Sequence, residues 1–163
     1  IRLMKTRPLS PVRPLNLDDC QVVADLETQL FDGRFTAQSL RDMLIKPAFY
    51  GTVLPAVGQS AVIYAYCLST ITADCADIIA IGTHNDWQRL GFGRIMLEHL
   101  IGETEQLNIE KIVLEVAADN MPARKLYDSS GFVEIGCRKN YYKRGETCCD
   151  AVIMARLRGS AFS

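Results

Sequence analysis

Long apolar runs, a strong net charge and a secretory signal are all missing from this sequence of 163 residues. No apolar run approaches the roughly 18 residues that a bilayer-spanning helix requires, so we expect no membrane partner. The formal net charge is −1, which gives no reason to expect a nucleic acid as partner. The N-terminal stretch IRLMKTRPLSPVRP is basic but lacks the apolar segment of a secretory signal. Together these absences favour a cytoplasmic protein.

Metal-binding spacings are also missing, although the chain has six cysteines. None of them forms a CxxC pair or lies at ligand spacing from a histidine, so we expect no bound metal. Cys67 lies in an apolar run, where a thiol usually packs as a small hydrophobic group. A disulfide scaffold is not expected either, and a reducing compartment is favoured.

What the sequence does contain is the composition of a globular domain. Hydrophobic residues make up 48% of the chain and charged residues 23%, which is far from the composition of a disordered protein. The length suits one domain, and no repeat, low-complexity tract or linker divides it. We therefore expect a single domain over residues 1–163, with 1–10 and 158–163 as flexible tails.

The strand and helix patterns predict an α/β (α+β) fold, with a mixed central sheet of about seven strands and about four flanking helices. Three successive strand-like runs without an intervening helix predict an antiparallel first half of the sheet. A later strand–helix–strand segment predicts a right-handed parallel crossover. The strands are predicted at residues 11–15, 52–56, 61–70, 78–83, 111–117, 132–138 and 150–157.

Capping residues and apolar spacing predict where the helices lie. Asn16 or Asp18 is expected to cap the first helix, and Thr36 the second. Asn120 is expected to cap the fourth helix, over residues 121–130. The third helix opens directly from a glycine-rich loop, which is the most informative stretch of the chain.

That loop follows the strand at residues 78–83 and has glycines at alternate positions. A strand, a glycine loop and a helix N-terminus together form an anion site, because free backbone N–H groups point outward and the helix dipole favours negative charge. Arg89 and Arg94 add donors suited to phosphate oxygens. We interpret the loop as a pyrophosphate cradle; the alternative is a turn with ordinary helix-start glycines. Its residues are Gln88, Arg89, Leu90, Gly91, Phe92, Gly93 and Arg94.

Two residues beyond the loop are candidates for acid–base chemistry. Glu115 lies in the apolar strand 111–117, which we expect to be buried on both faces. A carboxylate there is costly unless it is paired or faces a cleft, and partial burial makes it a better proton acceptor. The alternative is a structural acid satisfied by a neighbouring strand. Tyr127 lies on the fourth helix, where it either presents its hydroxyl to the occupant of the loop or packs in the core.

Aromatic residues in two other segments are candidates for the substrate side. Phe31 and Phe35 lie in the short loop between the first two helices, where they either line an entrance or plug the core. Tyr141 and Tyr142 lie within a basic run that follows the sixth strand. Because this run is short and the net charge of the chain is near zero, contact with a peptide or other substrate is favoured over nucleic-acid binding.

Taken together, these residues resemble the GNAT superfamily of N-acetyltransferases. Residues 88–93 match its acetyl-CoA pyrophosphate motif, Q/R-x-x-G-x-G/A, and the later motifs follow in the family's order within residues 78–157. Within the superfamily, the chain is most similar to the ribosomal-protein-alanine N-acetyltransferases and related protein N-terminal acetyltransferases. That similarity rests on Leu97-Glu98-His99-Leu100-Ile101, Leu114-Glu115-Val116, Arg138-Lys139-Asn140-Tyr141-Tyr142 and Asp150-Ala151-Val152-Ile153-Met154.

The resemblance implies an acyltransferase that moves an acetyl group from acetyl-CoA to a primary amine by direct transfer in a ternary complex. The implied acceptor is the N-terminal α-amine of a protein. By the same resemblance, Glu115 is the general base and Tyr127 the general acid, and no metal takes part.

The cofactor side of the site is also implied by the resemblance. The backbone of Ile81, Gly82 and Thr83 is implied to pair with the pantetheine arm, which lies where this strand splays from its parallel neighbour. Residues 88–94 are implied to bind the pyrophosphate, and Asn120 to lie near the cofactor.

The chain departs from its relatives on the acceptor side. Where the group has Phe-Pro-Trp after the first helix, this chain has Phe31-Asp32-Gly33-Arg34-Phe35. Two alternatives therefore stay open: an acetyltransferase for a small amine such as an antibiotic or polyamine, and a non-catalytic CoA-binding module. A dinucleotide-binding protein is disfavoured, because the glycine pattern fails at Met96.

Overall fold

The computed structural model describes residues 12–31, 33–59 and 61–163. The tail predicted at residues 1–10 lies outside these ranges, and so do Pro11 of the first predicted strand, Asp32 and Ser60. Within these ranges the chain forms four α-helices and seven β-strands. They are β1 (Arg13–Pro14), α1 (Asp19–Leu30), α2 (Ala37–Leu44), β2 (Phe49–Pro55), β3 (Ile63–Ile71), β4 (Cys75–Thr83), α3 (Phe92–Gln106), β5 (Lys111–Ala117), α4 (Met121–Ser129), β6 (Val133–Arg144) and β7 (Thr147–Leu157).

The strands are hydrogen-bonded in the order β1-β2-β3-β4-β5-β7-β6. β4 and β5 are parallel, whereas the β1–β2, β5–β7 and β6–β7 pairs are antiparallel. The register of the parallel pair runs from Cys75↔Lys111 to Ile78↔Leu114, although both strands continue beyond it. The predicted mixed sheet with one parallel pair is therefore confirmed, and the strand–helix–strand segment is its crossover.

Two compact units make up the described chain. The first consists of residues 12–69 and 80–99, and the second of residues 70–79 and 100–163. β4 and α3 each contribute residues to both units. The glycine loop belongs to the first unit, whereas Glu115 and Tyr127 belong to the second.

Side chains at the starts of the first two helices satisfy backbone N–H groups that have no acceptor within the helix. The Asn16 side chain accepts from the Asp19 N–H (3.1 Å), and the Asp19 side chain accepts from the Asn16 N–H (2.8 Å). Of the two predicted caps, Asn16 therefore makes the bond, whereas Asp18 makes no side-chain cap bond. Thr36 caps α2 as predicted, in a reciprocal capping box with Ser39.

A carboxylic acid and a phenol are buried together in the first unit. Glu27 of α1 is fully buried, and its Oε1 accepts a 2.6 Å hydrogen bond from the hydroxyl of Tyr66 on β3. The other oxygen, Oε2, has no hydrogen-bond partner among the residues described. Burial raises the pKa of the Glu27 carboxyl, although the Tyr66 hydrogen bond partly opposes this, and burial also raises the pKa of Tyr66. Burying such a pair costs free energy, so we look for the role of the pair in what Tyr66 contacts.

Tyr66 lies directly against the backbone of Gly82 on β4. A Cβ at position 82 would overlap the phenol ring and its hydroxyl. Glycine is therefore required here by the close approach of a side chain rather than by its own φ. The Glu27–Tyr66 pair thus forms the surface on which the end of β4 lies.

Glu115 is exposed rather than buried, so the prediction that both faces of its strand are buried is wrong. Leu114 and Val116 are buried, whereas Lys111 and Glu115 on the opposite face are exposed. The two faces alternate with the period of a half-buried strand. Val113 hides this alternation in the sequence, because it is an apolar residue on the exposed face, where it is half-buried.

The last two strands, predicted at residues 132–138 and 150–157, are longer than predicted and form a hairpin. The basic run that contains Tyr141 and Tyr142 lies within β6, and the prediction that it follows the strand is wrong. The β6–β7 pairing shifts register between Arg138 and Tyr142. This irregularity breaks the period-two pattern, which is why the sequence does not reveal the full strand.

Residues 158–163, which we expected as a flexible tail, make hydrogen bonds to the end of α4. The Ser163 N–H donates to the Ser129 carbonyl (2.9 Å), and the Ser163 hydroxyl donates to the Asp128 carbonyl (3.3 Å). The last residues of the sequence therefore have defined partners within the second unit.

Replacing Glu27 by glutamine should change how stability depends on pH. The folded-state pKa of Glu27 is raised above its unfolded value, so the stability it contributes is present below the unfolded pKa and is lost as pH rises through the folded pKa. Glutamine does not titrate. The melting temperature of Glu27→Gln minus that of the wild type should therefore be larger at about pH 7 than at about pH 4.5, as measured by scanning calorimetry.

Glu98→Gln is the matched control, because Glu98 is an exposed carboxylate in the same unit. The melting temperature of Glu98→Gln minus that of the wild type should change much less between about pH 4.5 and about pH 7. A difference for Glu27→Gln that stays constant across the pH range would contradict the raised pKa of Glu27.

Candidate active site

The glycine loop is tied to the end of β4 by its first residue. The Gln88 side-chain amide donates to the Thr83 carbonyl (3.2 Å) and to the Asn85 Oδ1 (3.3 Å). Between β4 and the loop the chain makes a short 3₁₀ helix, Asn85–Trp87. The loop therefore begins at a fixed distance from the end of β4 within the first unit.

The loop backbone is left-handed at two alternate residues. Arg89 (φ 63°) and Gly91 (φ 85°) both have positive φ. Glycine adopts this conformation at little cost, but arginine does not. Strain at a non-glycine residue occurs mostly where a ligand site or a tight turn over-determines the backbone. The positive φ angles of Arg89 and Gly91 therefore fit both an ordinary tight turn and an anion cradle.

α3 begins directly after Gly91, whose carbonyl accepts from the Ile95 N–H (3.1 Å). The first N–H groups of a helix have no acceptor within it, and with the helix dipole they favour an anion in front of the helix. The space beside Gly91 is open, since an added Cβ would meet no atom within 4 Å. An open backbone at a helix start is what a phosphate site requires.

Phe92 supports the loop from beneath. Its buried ring stacks against Tyr64 (centroids 5.3 Å apart) and Trp87 (6.3 Å), which contact each other at 4.3 Å. This cluster anchors both ends of the loop, because Trp87 precedes it and Phe92 begins α3. Phe92 is predicted to bind the cofactor. Because its side chain is buried, only its backbone is left for that contact. Sequence reasoning missed Tyr64 and Trp87, although the single tryptophan of the chain lies directly before the motif.

The end of β4 carries the residues predicted to pair with the pantetheine arm. Ile81 and Thr83 are half-buried, and Gly82 is buried against Tyr66. Sequence reasoning missed Tyr66 and its partner Glu27. The available signal was the glycine inside an apolar strand, because such a glycine marks the close approach of another group.

Glu115 forms an ion pair with Arg138 of β6 in the second unit. The Arg138 Nη1 lies 3.0 Å from Oε1 and 3.3 Å from Oε2 of the carboxylate. The guanidinium also lies over the ring of Tyr141, 4.0 Å from its centroid, and the hydrogen bond that it donates to Glu115 raises the pKa of Arg138. The Glu115 side chain keeps 33% of its surface exposed. The carboxylate is therefore accessible but held by a cation, and this is not the buried acid that the sequence predicts.

Other cations of the basic run are paired with acids as well. Lys139 Nζ lies 3.3 Å from Asp150 Oδ2, and Arg144 pairs with Asp119. The Arg144 hydrogen bond lowers the pKa of Asp119, and the Asn140 N–H together with Lys139 lowers that of Asp150. The run therefore presents largely compensated charge rather than an open basic patch.

Asn120 and Tyr127 lie towards opposite ends of α4. The Asn120 Oδ1 accepts from the Ala123 N–H (3.3 Å), so the predicted cap is confirmed. Tyr127 is 8% exposed, and its ring lies 5.7 Å from that of Phe132. Its carbonyl accepts from the N–H groups of Ser130 and Phe132. The ring therefore packs in the core, and its role as a proton donor stays a prediction.

The aromatic residues predicted for the substrate side lie partly at the surface. Phe31 is 46% exposed, so it does not plug the core, whereas Phe35 is half-buried with the Arg34 guanidinium 5.0 Å from its ring. In the second unit, Tyr141 is exposed and Tyr142 half-buried, with their rings edge to face at 5.1 Å. Each predicted substrate segment thus exposes one aromatic ring.

No metal centre is found in the part of the chain that the structure describes, because no three His, Cys, Asp or Glu side chains there are grouped to hold an ion. The six cysteines are free thiols. Among the helices described, none has the length and apolar character needed to cross a membrane.

Comparison with known proteins places these features in a family. The model of the acetyltransferase (GNAT) family matches residues 22–132. A ribosomal protein bS18-alanine N-acetyltransferase from Escherichia coli K12 is 40% identical over 97 residues, which cover 60% of this chain and 66% of that protein. The match thus spans just under two thirds of the relative's length.

Solved structures give the same fold. The ribosomal-protein-S18-alanine N-acetyltransferase from Escherichia coli superposes with a TM-score of 0.81 at 30% identity, covering 92% of this chain and 94% of that chain. A spermidine N-acetyltransferase from Vibrio cholerae, solved with CoA and spermine, has a TM-score of 0.77 at 20% identity, covering 91% and 95%. The second likeness is one of fold alone.

Proposed function

The chain belongs to the acetyltransferase (GNAT) family, and from this we propose that it is an acetyl-CoA-dependent N-acetyltransferase whose acceptor is the N-terminal α-amine of a protein. The observation that carries the proposal is the family match over residues 22–132, which includes both the glycine loop and Glu115. The acceptor class is supported by the Escherichia coli relative, which is named an alanine N-acetyltransferase of a ribosomal protein. The proposed location is the cytoplasm, where protein N-termini and acetyl-CoA are both present.

The loop has the physical properties that a pyrophosphate requires. It combines a left-handed backbone at Arg89, open space at Gly91 and a helix start. Residues 88–94 would hold the pyrophosphate, residues 81–83 would pair with the pantetheine arm through their backbone, and Asn120 would lie near the cofactor. When bound, acetyl-CoA supplies the activated acetyl thioester.

In this proposal Glu115 accepts the proton that the acceptor amine must lose. An α-amine has a pKa of about 8, so most of it is protonated at neutral pH and is not nucleophilic. Because Arg138 holds the carboxylate, its guanidinium has to leave before Glu115 can act. The acceptor ammonium is suited to replace it, since a carboxylate beside the face of Tyr141 favours a cation.

In this proposal, the end of β4 stabilises the charge on the carbonyl oxygen, and Tyr127 supplies a proton to the leaving group. The N–H groups of residues 81–83 would polarise the carbonyl that the amine attacks. Tyr127 would then give its hydroxyl proton to the departing sulfur. The amide bond forms as the carbon–sulfur bond breaks, so the transfer needs no cysteine nucleophile.

A small amine is the alternative acceptor. Its support is the segment between α1 and α2, where Phe31 is exposed and the chain departs from the Phe-Pro-Trp of its relatives. Thiol release should be measured with a peptide that begins with alanine, with spermidine and with an aminoglycoside. A kcat/KM that is highest for the peptide supports the proposal, and one that is highest for a small amine supports the alternative.

A non-catalytic CoA-binding module is the remaining possibility. It predicts that CoA raises the melting temperature of the protein while no thiol is released over the whole amine panel. Thiol release with any of these amines excludes it.

Gly91→Ala should weaken binding of acetyl-CoA. An L side chain at φ 85° costs about 1–2 kcal/mol, and relief of that strain moves the loop backbone away from the phosphate. We expect the calorimetric Kd for acetyl-CoA to rise about tenfold. Gly58→Ala is the matched control, because Gly58 has φ 72° and equally open space but lies between β2 and β3. Equal changes of Kd in the two variants would contradict a phosphate site at the loop.

Arg138→Gln should raise kcat/KM for the peptide, because the acceptor ammonium then no longer has to displace a guanidinium from the Glu115 carboxylate. Glu115→Gln should reduce kcat most below about pH 8, where the acceptor amine is protonated.

Lys139→Gln is the control for this pair, because it removes a neighbouring cation that is paired with Asp150 instead. It should leave kcat/KM for the peptide unchanged. An unchanged kcat/KM in Arg138→Gln would exclude displacement of the guanidinium from the reaction, and an unchanged pH–rate profile in Glu115→Gln would exclude Glu115 as the base.

Tyr127→Phe should lower kcat by about 10²-fold or more with little change in the calorimetric affinity for CoA, because the packing against Phe132 is kept. Tyr50→Phe is the control, since it removes a hydroxyl that lies 3.2 Å from His99 in the first unit, and it should leave kcat nearly unchanged. Loss of CoA binding in Tyr127→Phe would show a structural role instead.

A further inference from the structure

Each carbonyl at the C-terminal end of α4, from Leu126 to Ser130, accepts a hydrogen bond. The last carbonyl groups of a helix have no donor within it and must find partners elsewhere. The Leu126 carbonyl accepts from the hydroxyls of Ser129 (3.0 Å) and Ser130 (2.8 Å). The Tyr127 carbonyl accepts from the N–H groups of Ser130 (3.0 Å) and Phe132 (3.1 Å). These partners come from the last residue of α4 and from the turn that follows it.

The next three carbonyls are satisfied in part by a distant segment, residues 156–163. The Asp128 carbonyl accepts from the Ser163 hydroxyl (3.3 Å), and the Ser129 carbonyl from the Ser163 N–H (2.9 Å). The Ser130 carbonyl accepts from the Arg156 Nε (2.9 Å). The end of the helix that carries Tyr127 is therefore held by the last strand and the residues after it.

Arg156 is the centre of this arrangement. Arg156 is 2% exposed, so its guanidinium is removed from water. Besides Ser130, it donates through Nη1 to Glu105 (3.2 Å) and through Nη2 to the Ser160 carbonyl (2.6 Å). The ring of Phe162 lies 5.3 Å from the guanidinium carbon. A well-packed apolar residue often serves stability as well as a buried guanidinium does, whereas the three partners of Arg156 need the fixed fork of a guanidinium.

Gly131 shows how closely the segment packs on the turn after α4. Its φ is 87°, and an added Cβ would lie 2.8 Å from the Ala161 carbonyl oxygen and 3.3 Å from the Arg156 Nε. Both the backbone angle and the space exclude a larger residue. The turn is thus fixed from two sides, by its own serines and by the terminal segment.

We propose that Arg156 is a positioning residue for Tyr127: by holding the Ser130 carbonyl and the segment after β7, it sets where the end of α4 places the Tyr127 hydroxyl. This inference rests on the proposed function for the role of that hydroxyl. Lysine is a poor substitute, because one ammonium cannot reach Ser130, Glu105 and Ser160 in the fixed fork of a guanidinium. A misplacement of the hydroxyl by about 1 Å is enough to slow proton transfer by about 10²-fold.

The test is a double-mutant cycle between Arg156 and Tyr127. Arg156→Leu should lower kcat about ten- to hundredfold with little change in KM for acetyl-CoA, and Arg156→Lys should restore only part of it. In a Tyr127→Phe background, Arg156→Leu should cause little further loss, because the hydroxyl that it positions is already missing. Arg158→Leu is the matched control, since Arg158 is an exposed arginine on the same segment that bonds Asn108 instead.

Equal fold losses of kcat in the Tyr127 and Tyr127→Phe backgrounds would overturn the proposal. A loss of kcat in Arg158→Leu equal to that in Arg156→Leu would also overturn the proposal, because it would show a general loss of stability. Ser163→Pro serves where Arg156→Leu does not fold, because it leaves Arg156 in place and removes only the two hydrogen bonds that Ser163 donates to the carbonyls of Asp128 and Ser129. It should lower kcat in the same background-dependent way.

Hydrogen exchange separates a failure of this inference from a failure of the proposed function. The amides of Ser130 and Phe132, which donate to the Tyr127 carbonyl, should exchange faster in Arg156→Leu and in Ser163→Pro than in the wild type. If the wild type transfers no acetyl group but these amides still exchange faster, the proposed function fails while the hold on α4 stands. Unchanged exchange in both variants overturns the inference whatever the activity.

Discussion

Arg138 and Glu115 form an exposed ion pair, and the proposed chemistry of the site depends on how that pair is broken. The Arg138 guanidinium contacts both oxygens of the carboxylate that would have to accept the proton of the amine. An acceptor that carries its own positive charge can take the place of Arg138 between the carboxylate and the face of Tyr141. In the proposed function, the ammonium ion would displace the guanidinium and then give its proton to Glu115.

Buried charges elsewhere in the chain serve the placement of functional groups. In the first unit, Glu27 and Tyr66 lie beneath Gly82, so an expensive buried acid fixes the strand end that precedes the glycine loop. In the second unit, Arg156 holds the turn after α4. In both cases an apolar residue often costs less to bury, and we attribute each of these buried groups to the placement of its neighbours.

Local patterns in the sequence predict much of this structure. The bounds of β5, the Asn120 and Thr36 caps and the parallel crossover all follow from interactions within a few residues or from connection rules. The exposure of Glu115 cannot be predicted from the sequence, because Val113 is an apolar residue on the exposed face of the same strand. The Glu27–Tyr66 contact and the Arg156 contacts are not predictable either, since they join residues far apart in the chain. The site residues carried over from the family's motifs, Glu115 and Tyr127 above all, stay predictions about chemistry.

The nitrogen that receives the acetyl group decides between this account and its alternatives. The purified protein should be incubated with acetyl-CoA and a peptide that has a free N-terminal alanine and an internal lysine, and the modified residue located by tandem mass spectrometry. The proposed function predicts a single acetyl group on the α-amine of alanine. Acetylation of the lysine side chain, or no transfer to the peptide when spermidine is acetylated under the same conditions, would contradict it.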